Sequence, residues 1–168
     1  MKKQIDLQIV YRDPKELVPY VNNARTHSDE QVRQIAASIK EFGFNDPVEL
    51  DGDRGIISGH GRVQAALLLG LERIPTIDLH GLSPAQKKAY ILAANKIALN
   101  SGWNEELLRI EIQDLQAEGF DLDATGFTAD DLSSVFADTD QESPEDFPDV
   151  AEQTLAHKCP KCGYEFDD

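Results

Sequence analysis

The residues of this chain best suited to chemistry lie in the segment Ile56-Ile57-Ser58-Gly59-His60-Gly61-Arg62. It reads as a strand that enters a glycine turn and opens a helix. Two glycines let successive backbone N–H groups point together into a concave anion nest, and a helix N-terminus adds positive potential. Arg62 contributes a planar, two-pronged donor that matches phosphate oxygens. The chemistry expected is the holding of phosphate. His60 has two readings: it donates to a phosphate or moves a proton near neutral pH, or it packs beside the turn. His27 and His80 lie in loops without a visible partner and read as surface residues.

A second constellation closes the sequence. Cys159-Pro160-Lys161-Cys162-Gly163 has the spacing of a knuckle whose two thiolates face one metal, and a closed zinc site takes four ligands. His157 offers a third ligand, and a second copy of the chain would complete the shell as a homodimer. These two cysteines are the chain's whole complement, too few for a disulfide framework.

The elements that must position the glycine turn are marked by their caps. Ser28-Asp29-Glu30-Gln31 is a capping box, followed at helical spacing by Val32, Ile35, Ala36, Ile39 and Phe42 until Gly43 stops the run. Ser83-Pro84-Ala85-Gln86 is a second box with proline at the first helical position, and its helix is expected to reach about Leu99. Asn104 caps a third helix, with Glu105 and Glu106 at its positive end and Leu108, Ile112 and Leu115 on one face. Thr128-Ala129-Asp130-Asp131 starts a short one ending near Phe136. A further helix is expected from about Arg62 to Leu69. Pro47–Leu50, the turn Asp51-Gly52-Asp53 and Gly55–Ser58 read as a hairpin. Ile74–Leu79 and a segment around Leu7–Val10 give two more strands. Strands and helices mix without regular βαβ repetition, which predicts an α+β fold with a small mixed sheet.

The chain has 168 residues, 40% of them hydrophobic, and a formal charge of −15. That charge is lopsided: residues 1–100 hold 13 Lys and Arg against 12 acidic residues, and residues 101–168 hold 3 against 19. An acidic chain is poorly equipped for nonspecific DNA binding, which needs a basic face. No apolar run approaches the roughly 18 residues that span a bilayer, so a cytoplasmic protein is expected. Asp138–Glu152 contains seven acidic residues, no basic ones and two prolines, the composition of a disordered linker. The expected organisation is a domain at 1–100, a helical C-terminal extension at 101–137, a linker at 138–155 and a zinc-knuckle-like tail at 156–168.

The order Asn23-Ala24-Arg25, the Ser28–Phe42 helix, Gly43–Val48, Ile57–Ala66, Leu71–Pro75 and Ala94-Asn95-Lys96 resembles the N-terminal domain of the ParB/sulfiredoxin superfamily. Within it the chain looks most like ParB-like domains of phage and prophage proteins, often fused to DNA methyltransferases. The tail resembles one half of a zinc ribbon. The resemblance implies that Gly59, His60, Gly61 and Arg62 meet the phosphates of a nucleoside triphosphate, CTP or ATP. It matches Arg25 to the arginine of an Asn-Pro-Arg element, with Ala24 replacing proline. It matches Asn95, followed by Lys96, to an asparagine that helps bind nucleotide and Mg²⁺.

Departures shape the expected activity. His60 stands where sulfiredoxin carries its reactive cysteine, so sulfinate reduction is not expected. Ala94 replaces a family glutamate that would assist Mg²⁺, so efficient hydrolysis is not expected either. Trp103, after Asn95–Gly102, is expected to anchor the extension onto the domain. A DNA-reading helix-turn-helix follows this domain in partition proteins, yet the acidic region here offers no basic recognition helix; methyltransferase motifs are absent too. The function expected is a nucleotide-binding regulator or adaptor in DNA-associated phage or mobile-element processes, with DNA or a DNA-modifying protein as partner. One alternative is a ParB-like nuclease, which requires residues such as Asp46, Glu49 or Asp51 to gather Mg²⁺. Another is an interaction module whose acidic tail binds a basic partner or mimics DNA.

Overall fold

The computed structural model describes residues 7–137, 157–158 and 165–166. The chain divides into two compact units, Met1–Phe136 and Ala137–Asp168. In the first, four strands form one sheet in the order β1 (Ile9–Arg12), β4 (Ile74–Asp78), β2 (Val48–Leu50), β3 (Ile56–Ser58). β1 runs antiparallel to β4, and β2 antiparallel to β3, while β2 and β4 are parallel. The crossover between the parallel pair carries β3 and the helix α2 (His60–Leu68). The architecture is α+β with a small mixed sheet.

Strand alternation explains the core. Val48 and Leu50, with Ile56 and Ile74, cluster with Leu17 and with Val63 and Ala66 of α2. Glu49 and Ile57 fall on the opposite face, where α3 (Pro84–Ala98) packs on β3 and buries Ile91. Tyr90 of α3 donates to Glu49 Oε1 at 3.0 Å. Asp51 shapes the hairpin turn, accepting from the Asp53 and Gly55 amides at 2.9 and 3.0 Å and from Lys87 Nζ at 3.2 Å. Burial alone would raise its carboxyl pKa, but those donors outweigh it and hold the group below its ordinary range. β1 is fastened to β4 by Arg12, which donates to Thr76 Oγ1 at 2.6 Å and to Asp78 Oδ2 at 2.7 Å. Thr76 is fully buried and donates in turn to the Val10 carbonyl at 2.6 Å.

The caps operate with small differences from expectation. Ser28 accepts from the Gln31 amide at 3.1 Å and starts α1 (Asp29–Phe42), but the Gln31 side chain turns to His27, so only half of that box forms. The Ser83–Gln86 box is complete. Asn104 caps α4 (Glu105–Ala117), and Thr128 with Asp131 opens α5 (Ala129–Ala137). β1 begins two residues later than the Leu7–Val10 expectation. α2 begins two residues earlier than Arg62, because Gly59 alone turns the corner.

Leu108, Ile112 and Leu115 share the inward face of α4, with Ile112 buried. The extension docks on α1 through Phe42 and Phe120, whose rings stack at 6.0 Å, and through Gln34, which donates to the Gly126 carbonyl at 3.4 Å. Trp103 does not serve as the expected anchor. It is 70% exposed, and its ring contact, at 5.6 Å, is to Phe127 within the extension itself.

In the second unit, β5 (His157–Lys158) pairs antiparallel with β6 (Glu165–Phe166). Cys159, Cys162 and the Asp138–Glu152 segment lie outside the described residues. Among the described residues no helix is long and apolar enough to cross a membrane.

Candidate phosphate site

The glycine turn is built by two close approaches. Gly59 has φ 98° and ψ 22°, a left-handed conformation that glycine adopts without a Cβ penalty. A Cβ there would also stand 3.0 Å from Arg62 Nη2 and 3.3 Å from Val48 Cγ2. Gly61 is helical, but its Cβ would stand 2.9 Å from Ile35 Cδ1 and 3.0 Å from His27 Cε1 and Nδ1. α1 and α2 therefore meet at Gly61. No side chain caps α2. The N–H groups of its first turn lack intrahelical partners and suit an anion.

A cleft of about 230 Å³ opens at this helix end. Arg25, His27, Ser58, Gly59, His60, Gly61, Arg62 and Asn95 line it, together with Ala94. None of its described lining residues is a carboxylate. Six of the seven residues expected to hold phosphate thus share one cleft. Lys96 does not; it stands in an adjoining, more apolar groove of about 390 Å³ with Ile91, Leu92 and Leu99.

Two side chains play parts other than those the sequence suggested. Arg62 does not present a free fork to the cleft: Nη1 pairs with the Asp46 carboxylate, and Nη2 donates to the Pro47 carbonyl at 3.2 Å. Its guanidinium lies over Gly59 and braces the turn, and burial lowers its pKa. Nε remains buried without a partner among the described residues. His60, 9% exposed, accepts the Tyr20 N–H at Nε2 over 3.1 Å, which places its own proton on Nδ1. Burial, with a smaller contribution from His27, pushes its pKa down. Of the two readings of His60, packing beside the turn is the one the geometry supports.

Arg25 and His27 form the opposite wall. Asn23 holds the loop, accepting the Arg25 N–H at 3.2 Å and donating to its carbonyl at 3.0 Å. Arg25 Nη1 reaches the Asn95 carbonyl at 3.4 Å, and Asn95 Nδ2 donates to the Ile91 carbonyl at 2.8 Å. His27, read from sequence as a surface residue, lies against Gly61. Its position immediately before the Ser28 cap was the available signal, since a helix packed on the glycine turn carries its cap there too.

The acidic residues of the nuclease alternative are not brought together. Asp46 is paired with Arg62, Glu49 with Tyr90, and Asp51 holds the hairpin turn. Among the described residues no three His, Cys, Asp or Glu side chains are placed to hold a metal ion. The cleft likewise does not fit Mg²⁺ through a protein carboxylate, since position 94 is alanine and no carboxylate lines it.

The sheet, its flanking helices and the glycine turn define the fold of ParB N-terminal domains. The crystal structure of the C-terminally truncated chromosome-partitioning protein ParB from Caulobacter crescentus, complexed with CTP-gamma-S, matches with a TM-score of 0.55 at 17% identity. The match covers 76% of this chain and 70% of that one. The chain belongs to the ParB-like family. It is 54% identical over 82 residues to the ParB-like nuclease domain-containing protein YnaK of Escherichia coli (strain K12), covering 49% of this chain and 94% of that protein. It is 43% identical over 72 residues to the probable chromosome-partitioning protein ParB of Treponema pallidum (strain Nichols), spanning 40% of this chain and 22% of that protein.

Residues 106–157 match the ParB-methyltransferase HTH domain. The likeness is to a helix-turn-helix domain in a region where the sequence offers no basic recognition helix; the apolar spacing of Leu108, Ile112 and Leu115 bears on folding, whereas charge governs the partner. The matched segment carries one arginine against fifteen acidic residues, so the basic face of a DNA reader is still missing from it.

Proposed function

We propose that the chain binds a nucleotide through its phosphates in the cleft at the N-terminus of α2, and acts as a regulator or adaptor in DNA-associated phage or mobile-element processes. The observation that carries this reading is the lining: an uncapped helix end and Arg25 share one cleft with no carboxylate, in a chain of charge −15. Free backbone N–H groups beside an arginine in an acidic chain favour a compact anion. The CTP analogue held by the Caulobacter partitioning protein, which shares the fold, supports a nucleotide as that anion. The adjoining groove, which shares Arg25, Gln31 and Asn95 with the cleft, gives a nucleoside a more apolar surface to lie on. Turnover is slow in this reading, because Ala94 supplies no carboxylate to gather a metal. Calorimetric titration with each nucleoside triphosphate, with and without Mg²⁺, tests it. Arg25→Ala weakens binding by about 1.5–3 kcal/mol, the scale of a hydrogen bond to a charged group. An unchanged dissociation constant in that variant removes the assignment. Mg²⁺-dependent nicking of plasmid DNA without nucleotide binding would favour the nuclease alternative instead.

The reading extends to the tail. We propose that Cys159 and Cys162, with His157, hold Zn²⁺ and that a second copy of the chain completes the shell.

A further inference from the structure

His27 is the residue of the cleft that no sequence motif assigned. Its Nδ1 lies 2.9 Å from Gln31 Oε1, an oxygen that can only accept, so Nδ1 carries a proton and donates. In the neutral ring the other nitrogen, Nε2, then holds a lone pair. That lone pair has no hydrogen-bond partner among the described residues. In a neutral His27, which lines the cleft, Nε2 is therefore an acceptor and not a donor. Protonation at Nε2 reverses this and adds a full charge. His60 cannot take over the task, because its Nε2 is occupied by the Tyr20 amide. Arg62 has Nη1 and Nη2 engaged by Asp46 and Pro47, which leaves only its buried Nε.

The neighbouring groups favour the charged form once an anion arrives. Arg25 shares the cleft with His27 from its own loop, His60 and Arg62 from α2, Arg62 with its charge paired to Asp46, and the uncharged Ala94 and Asn95 from α3. Asp29 and Glu30 in the first turn of α1 are exposed and do not line the cleft. An incoming dianion brings the opposite charge to a cleft whose lining holds no carboxylate.

We infer that a doubly charged phosphoryl group, or a sulfate of the same shape, enters this cleft together with one proton, which passes from solvent to His27 Nε2. This rests on the phosphate reading above and adds to it a specific residue and a proton stoichiometry. Binding is thereby tuned by pH, strong on the acid side of the imidazole titration and weakening on the alkaline side.

The test uses the full chain and two probes, CTP and inorganic sulfate. Sulfate has no titration of its own near neutrality, so any proton taken up with it belongs to the protein. Calorimetry at about pH 8 in two buffers of different ionisation enthalpy should show uptake of close to one proton per anion bound. The dissociation constant should rise about tenfold per pH unit on the alkaline side of the titration. His27→Gln, which keeps a polar side chain before the Ser28 cap, should bind with no proton uptake and a flat pH profile. Binding by the native chain without proton uptake overturns the inference and leaves the phosphate site standing, as does an unchanged pH profile in His27→Gln. Absence of binding by the native chain at every pH removes the phosphate reading itself. The native-chain measurement decides the matter even where the variant fails to fold.

Discussion

Gly61→Ala puts the packing of the glycine turn under quantitative test. A methyl group inside a helix ordinarily stabilises it by about 0.5–1 kcal/mol relative to glycine. At this position the added Cβ would stand 2.9 Å from Ile35 Cδ1 and 3.0 Å from two atoms of the His27 ring. Relief requires α1 and α2 to separate or the imidazole to swing away, and overpacking of this kind costs about 1–3 kcal/mol. The two effects leave a net destabilisation of about 1 kcal/mol, or about 4 °C in the thermal midpoint. Because the displaced ring faces the cleft, sulfate and CTP binding should weaken as well. Urea unfolding gives the first quantity from the shift in midpoint at constant slope, and calorimetry gives the second. A variant more stable than the native chain, with unaltered anion binding, would refute the reasoning about both the close approach and the site.

Three further outcomes are expected. The lowered pKa of His60 means that its unfolded form binds more protons, so stability is full above the unfolded pKa of about 6.5 and declines as pH falls toward the folded value; His60→Gln, which can still accept the Tyr20 amide, should flatten that acid limb in denaturant melts, and an unchanged limb would place the effect elsewhere. Arg12→Ala strips the buried Thr76 and the part-buried Asp78 of their shared donor and should destabilise by about 1.5–3 kcal/mol in urea unfolding, with Arg12→Lys rescuing only partly. Metal analysis beside light scattering should find Zn²⁺ in the dimeric chain and lose both on chelation, whereas Cys159→Ser should be metal-free; a metal-loaded monomer would refute the shared shell.

What could be read from the sequence was whatever depends on near neighbours. Caps at Ser28, Ser83, Asn104 and Thr128 announce themselves within four residues, and the hairpin is written around Asp51-Gly52-Asp53. The apolar rows of α1 and α4 follow directly from spacing. Long-range geometry was not legible in this way. Arg62 reads as a phosphate donor until the fold brings Asp46 and Pro47 beneath its guanidinium. The tautomer of His60 depends on Tyr20, forty residues away. Trp103 has the makings of an anchor, yet the extension meets α1 through Phe120 instead. In the C-terminal region the helix-turn-helix likeness is not legible in the acidic composition, because charge reports on partners and not on the fold.

The pairing of the first strand with the last in the main sheet governs how the chain must be made. Val10 meets Thr76 across a separation of 66 residues, and among the described residues nothing nearer in the sequence pairs with β1. At ribosomal speeds of about 5–20 residues per second, β1 emerges roughly 3–13 s before its partner exists. Through that interval Ile9, Val10 and Tyr11 lack the partner strand that β1 takes in the fold, and an unpaired apolar segment is prone to aggregate. The β2–β3 hairpin can close early, whereas the Arg12 fastening can form only after Asp78 has cleared the exit tunnel. Stalled nascent chains ending short of β4 should therefore be cut by protease near β1, and chains extended well past it should be protected there.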